Sequence, residues 1–160
     1  MSRRNEPDAQ RAVESALEPG EQLLTMLSAT VSNWGDGGGY YIVWPVVTLL
    51  RVLNRRQRAR AAGRSQGLRL RLAFIVAVTS QRVLFFAARR GWRPGASCGE
   101  LSRDRITGVM VGKAVLAGYP PRELRYVVVR MASGPDLSLR VAAESAWWLR
   151  DEFGAAERSR

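Results

Sequence analysis

The stretch LRLRLAFIVAVTSQRVLFFAA, residues 68–88, decides the fold. Leu68, Leu70 and Leu72 alternate with Arg69 and Arg71, the two-residue period of a strand with one wet face. Ala73 to Val78 is continuously apolar. Ser80-Gln81 makes a tight turn, and Arg82 to Ala88 returns as another strand, ended by Arg90-Gly91. Downstream, strands are expected at Ser97–Leu101, Ile106–Val111, Leu124–Met131 and Leu137–Val141. Ser133-Gly134-Pro135-Asp136 forms the hairpin turn between the last two. Strands spaced this regularly point to a sandwich or a barrel. A helix over Ala143–Phe153 closes the chain. Ala142, Ala146, Leu149 and Phe153 make its apolar stripe, and Trp147 and Trp148 flank it, one expected in the core and the other partly exposed. Residues 154–160 read as a frayed tail. Upstream, Gln22–Ser32 reads as the first strand. Pro7-Asp8 opens a short helix over 8–17, with Asp8 as cap and Ala9, Ala12, Val13, Ala16 and Leu17 on one face. Glu18-Pro19-Gly20-Glu21 stops it.

The length, 160 residues, suits one domain able to bury a core without disulfides or metals. Cys98 is the lone cysteine and histidine is absent, so no common zinc site can be built. The polar N-terminus, residues 1–20, lacks the apolar core of a secretory signal. A bacterial-type cytoplasmic protein is the default expectation. The net charge is +11, and every basic residue except Lys113 is arginine. Arginine identity alone carries little weight, since a GC-rich genome favours its codons. Placement carries more. No acid occurs from residue 37 to residue 99, where twelve arginines do, eight of them within Arg51–Arg71. Such a block attracts phosphates on lipid, nucleic acid or an acidic partner.

Residues 33–39 have the composition of a flexible linker. The apolar run Tyr40 to Leu50 would span only about 16 Å as a helix, against roughly 30 Å of bilayer hydrocarbon. Pro45 suits a first turn, and Val46, Leu49, Leu50 and Leu53 follow at helical spacing, widened by Val47 and Val52. A basic amphipathic helix is therefore expected at 45–62. It would continue through Arg55, Arg56, Arg58 and Arg60 and stop at Gly63.

Leu17-Glu18-Pro19-Gly20-Glu21, Thr79-Ser80-Gln81-Arg82-Val83-Leu84, the pair of short strands around Arg105-Ile106, and the closing tryptophan-bearing helix together form one pattern. It resembles the bacterial pleckstrin-homology-like (PH-like) domains of the YokE and GRAM type, over residues 17–32 and 68–153. The resemblance implies an α+β, mainly β fold. About seven strands would form a bent antiparallel barrel capped by the C-terminal helix. The N-terminal helix and the insertion at 33–67, between the first and second strands, would decorate it. Eukaryotic relatives often bind phosphoinositide headgroups near that connection, so the analogy locates function without naming a ligand.

Motifs for catalysis carry little. Gly95-Ala96-Ser97-Cys98-Gly99 fits a nucleophile elbow in letters, but no histidine base exists, and it reads as a glycine-rich loop into a strand. Cys98 reads as a small apolar residue in a β-layer. Gly108 to Ala114 is one residue short of a phosphate loop and lacks its hydroxyl, so it reads as a strand ending in a turn. Glu100, Asp104, Glu123 and Asp136 show no pairing, and Arg103-Asp104-Arg105 reads as a surface ion-pair turn. The expectation is a non-enzymatic binding or scaffolding module without cofactor or metal. Its partner would be an anionic membrane surface, contacted by Arg51, Arg55, Arg56, Arg58, Arg60 and Arg64. Tyr40, Tyr41, Trp44, Val46, Leu49, Leu50 and Leu53 would form the apolar face. That places it in the cytoplasm, peripheral to the inner face of the membrane. The alternative is a protein-interaction or homodimerisation module using the same helix. Nucleic acid ranks third, because it explains the charge but not the apolar run.

Overall fold

A computed structural model describes residues 6–31, 57, 60–70, 73–89, 93–117 and 122–155. Seven strands follow an N-terminal helix, Glu6–Glu14. They are β1 (Leu23–Val31), β2 (Ala73–Thr79), β3 (Arg82–Arg89), β4 (Arg93–Ser102), β5 (Ile106–Ala117), β6 (Arg122–Met131) and β7 (Leu137–Ala142). A 3-10 turn, Arg103–Arg105, joins β4 to β5, and the C-terminal helix spans Ala143–Phe153 as its sequence predicts. All strands belong to one antiparallel sheet in the order β4-β3-β2-β1-β7-β6-β5.

The sheet bends around a single apolar core. Phe74, Val76, Phe85, Leu101, Val109, Val127 and Leu139 come from six strands yet share one cluster, and Ala146 and Leu149 of the C-terminal helix complete it. The helix ends with Gly154 and Ala155 tied to β5: the Val109 amide donates to the Gly154 carbonyl at 2.8 Å. Gly154 and Ala155, expected within a frayed tail, are thus held, and residues 156–160 lie outside the described residues.

A second apolar layer lies on the other face of β2 and β3. Val13 of the N-terminal helix packs against Ile75, Ala77, Leu84 and Phe86, with Leu17, Leu23 and Met26 at its margin. This accounts for the unbroken apolar runs quoted above. Alternation is lost because both faces of these two strands are buried. The N-terminal helix starts at Glu6, so Asp8 lies inside it rather than capping it.

Several boundaries differ from expectation for local reasons. Leu68 and Leu70 are buried and Arg69 is exposed, as the alternation predicts; Arg71 and Leu72 lie outside the described residues. Gly95–Gly99 lies within β4 rather than in a loop, at positions where the β3–β4 register shifts. Gly108 to Ala114 likewise stays within β5, which runs on to Ala117.

The described end of the insertion is helical over 60–65 and stops at Gly67, not at Gly63. The Leu68 amide donates to the Gly63 carbonyl at 2.8 Å and the Gly67 amide to the Arg64 carbonyl at 3.0 Å. This pair of bonds is a Schellman cap, which requires the left-handed residue that Gly67 supplies at φ 80°. The cap aims Leu68 into the main core, where it is fully buried. Gly63 sits against Leu70, with no room for a side chain. The base of the insertion is thus part of the hydrophobic core. Truncating Leu68→Ala should cost about 2–5 kcal/mol in chemical denaturation. A cost near zero would show that this segment is not docked.

Candidate functional site

The residues singled out in the sequence divide sharply. Arg51, Arg55, Arg56 and Arg58 lie outside the described residues, as do Tyr40, Tyr41, Trp44, Val46, Leu49, Leu50 and Leu53. Arg60 and Arg64 are described, and both are exposed on the helical turn 60–65. Arg69, two residues beyond the cap, is exposed too. On the opposite side of the same segment, Gly63, Gln66, Leu68 and Leu70 are buried. Among the described residues, no ion pair involves Arg60, Arg64 or Arg69.

A buried amide holds this basic segment in place. Gln66 is 3 % exposed, and its Nε2 donates to the carbonyls of Ser133 at 2.9 Å and Pro135 at 3.0 Å. Its Oε1 accepts from Arg105. Every polar group of the side chain is used, as burial demands. Gly134 makes the approach feasible, since a Cβ there would come within 2.8 Å of the Gln66 amide nitrogen. The hairpin turn read at Ser133–Asp136 is therefore also the socket of the insertion. Sequence reading missed Gln66, because nothing in an isolated glutamine signals a buried role.

Several acids of the folded body pair with other arginines. Arg82 pairs with Glu18 at 2.9 Å, Glu21 at 3.0 Å and Glu100 at 2.6 Å. Arg103 pairs with Glu152 at 2.5 Å, and its guanidinium lies over Phe153, 4.8 Å from the ring centre. Arg103-Asp104-Arg105 is consequently not a local ion-pair turn: Arg103 reaches the C-terminal helix and Arg105 reaches Gln66. Arg125 pairs with Glu123 at 2.7 Å and Arg130 with Asp136 at 2.5 Å. Of the strand arginines, Arg82, Arg125 and Arg130 are committed to acids in this way, whereas among the described residues the insertion's end carries charge without an ion pair.

A smaller aromatic site lies on the C-terminal helix. Trp147 is 41 % exposed, with the guanidinium carbons of Arg125 and Arg150 at 5.6 and 5.4 Å from its ring centre. Trp148 packs against the core, so the two tryptophans divide as expected. Cys98 is buried in the same core, the environment of an inert thiol. Among the described residues no cluster of acids and cysteine could hold a metal ion. No helix there is long and apolar enough to cross a membrane.

Comparison with known proteins finds no matching family model, and no curated protein or solved structure matches significantly.

The Arg82 network has a measurable signature. Glu21 is buried, and its carboxyl pKa is lowered from 4.5 to about 2, foremost by the hydrogen bond from Arg82, with further bonds from the Glu18 amide and the Thr79 hydroxyl and against the opposing cost of burial. A carboxylate whose folded pKa is depressed stabilises the fold above its unfolded value. That contribution is lost as pH falls through the folded value. Stability should therefore drop between about pH 4.5 and about pH 2. Glu21→Gln should cost about 3 kcal/mol at neutral pH and flatten that acid limb. Denaturation midpoints measured across this range check both, and an unchanged acid limb would remove the assignment.

Proposed function

We propose that the chain is a non-enzymatic PH-like binding module that associates peripherally with anionic membrane lipids through the arginines of its insertion. One observation carries this reading. At the base of the insertion, Arg60, Arg64 and Arg69 are exposed and, among the described residues, have no acid partner, while Gln66, Leu68 and Leu70 on the same segment are buried in the fold. A segment fixed on one side and cationic on the other presents charge without losing core contacts.

The seven-stranded bent sheet with a helix laid over its core supports the PH-like reading. The insertion lies between β1 and β2 in the chain, and its described end is held at the Gln66 socket. Arg51, Arg55, Arg56, Arg58, Arg60 and Arg64 supply the charge. Each arginine near an anionic surface contributes roughly 1 kcal/mol, so five effective contacts give about 5 kcal/mol. That suffices for reversible binding when an apolar face adds to it. Tyr40, Tyr41, Trp44, Val46, Leu49, Leu50 and Leu53 provide that face in this reading.

The test is co-sedimentation with vesicles of phosphatidylglycerol and phosphatidylcholine, against phosphatidylcholine alone. Binding to the anionic vesicles is expected at low salt, with loss at high salt. Replacing Arg55, Arg56, Arg58 and Arg60 together with Gln should weaken it roughly a thousandfold, from four contacts of roughly 1 kcal/mol each. No binding to anionic vesicles at low salt would overturn the proposal.

A further inference from the structure

Strand β1 is paired along only part of one edge. On its β2 side the ladder runs from Leu23 to Thr30. On its β7 side, pairing covers only Ala29, Thr30 and Val31, opposite Val141, Arg140 and Leu139. The cause is the end of β7: at Ala142 the chain turns into the C-terminal helix and leaves the sheet. From Leu23 to Ser28, no strand lies on that side of β1 among the described residues. The gap is a cleft of about 450 Å³, walled by β1, by Ala142, Glu144 and Ser145, and by Gln10 of the N-terminal helix.

The chemistry of the cleft is that of unpaired backbone. A strand presents the N–H and C=O of alternate residues to each edge, so this wall carries donors and acceptors, interrupted by the bulge at Leu24. Among the described residues, no backbone hydrogen bond from Leu23–Ser28 reaches a partner outside the β1–β2 ladder. A second observation points the same way. The Ser28 hydroxyl, on the wall of the cleft, is buried without a hydrogen-bond partner. The C-terminal helix, whose N-cap Ala142 lines the cleft, makes no side-chain cap hydrogen bond there.

We propose that the free edge of β1 between Leu23 and Ser28 is a docking site for an extended peptide segment of a partner protein, added as an antiparallel strand where β7 has left the sheet. Only an extended chain matches donors and acceptors at strand spacing. The open edge of six residues has room for a ladder of about five, at roughly 3.3 Å each. Gln10 and Glu144 line the cleft, so a second folded copy would have to bring a whole sheet against them. Leu24, bulged out of register and 42 % exposed, offers an apolar contact, and Glu144 at the rim is exposed. The segment that fits therefore carries an apolar residue and a basic one. This site shares no residue with the arginine surface, so either reading can fail alone.

The experiment selects peptides from a random heptapeptide library displayed on phage, with the full chain as target, and titrates synthetic versions of those enriched. Bound peptide should protect amides between Leu23 and Ser28 from hydrogen exchange. Ser145→Trp, which fills the cleft from the helix surface, should weaken binding at least tenfold while anionic-vesicle binding stays unchanged. If that variant unfolds by circular dichroism, Gln10→Trp fills the cleft from the opposite wall. Three results would each overturn the proposal: no enriched peptide, binding that survives the filled cleft, or β1 edge amides already protected in the free protein.

Discussion

The guanidinium of Arg82 lies among three carboxylates that the chain brings from far apart. Glu18 and Glu21 come from the turn after the N-terminal helix, and Glu100 comes from β4. Thr79, fully buried at the end of β2, donates its hydroxyl to Glu21 at 2.5 Å and accepts from the amides of Gln81 and Arg82. Arg82 also reaches the Ala16 carbonyl at 3.4 Å. One cation thus joins the N-terminal helix, the entry to β1, the β2–β3 turn and the edge strand β4. A buried pair of this kind is weak as a source of net stability but costly to break on one side. It therefore acts chiefly to specify how the N-terminal helix and the β2–β3 hairpin meet.

The same network gives physical content to two of the motifs on which the PH-like resemblance rests. Glu18-Pro19-Gly20-Glu21 and Thr79-Ser80-Gln81-Arg82 are not independent turn signatures. They are the two halves of one ion cluster, 61 residues apart between Glu21 and Arg82. A resemblance carried by paired residues of this kind concerns architecture. Function has to be argued from what the architecture leaves unpaired: the exposed arginines beyond Gln66 and the open edge of β1.

The insertion looks, in sequence, like an appendage, and its described end is not one. Gln66, Leu68 and Leu70 are built into the core and the β6–β7 hairpin, while Arg60, Arg64 and Arg69 stay outside. Alternation around Leu68 was legible because burial on one side and solvent on the other leave a period-two trace. The role of Gln66 was not, since its partners Ser133, Pro135 and Arg105 are remote in sequence and ordinary in type. The expected stop at Gly63 gave way to Gly67, which takes the left-handed conformation of the cap and is followed directly by the buried Leu68.

By itself the sequence determined the seven strands, the closing helix and the concentration of arginine without acid, because these are local patterns of apolar period, turn chemistry and charge. Only the tertiary structure decided which faces those patterns serve. The doubly apolar β2 and β3 required a second layer, which the N-terminal helix supplies. The early departure of β7 at Ala142 left half of that edge of β1 without a strand among the described residues. Both follow from which segments pack side by side, a matter of long-range pairing on which no short window of sequence carries information.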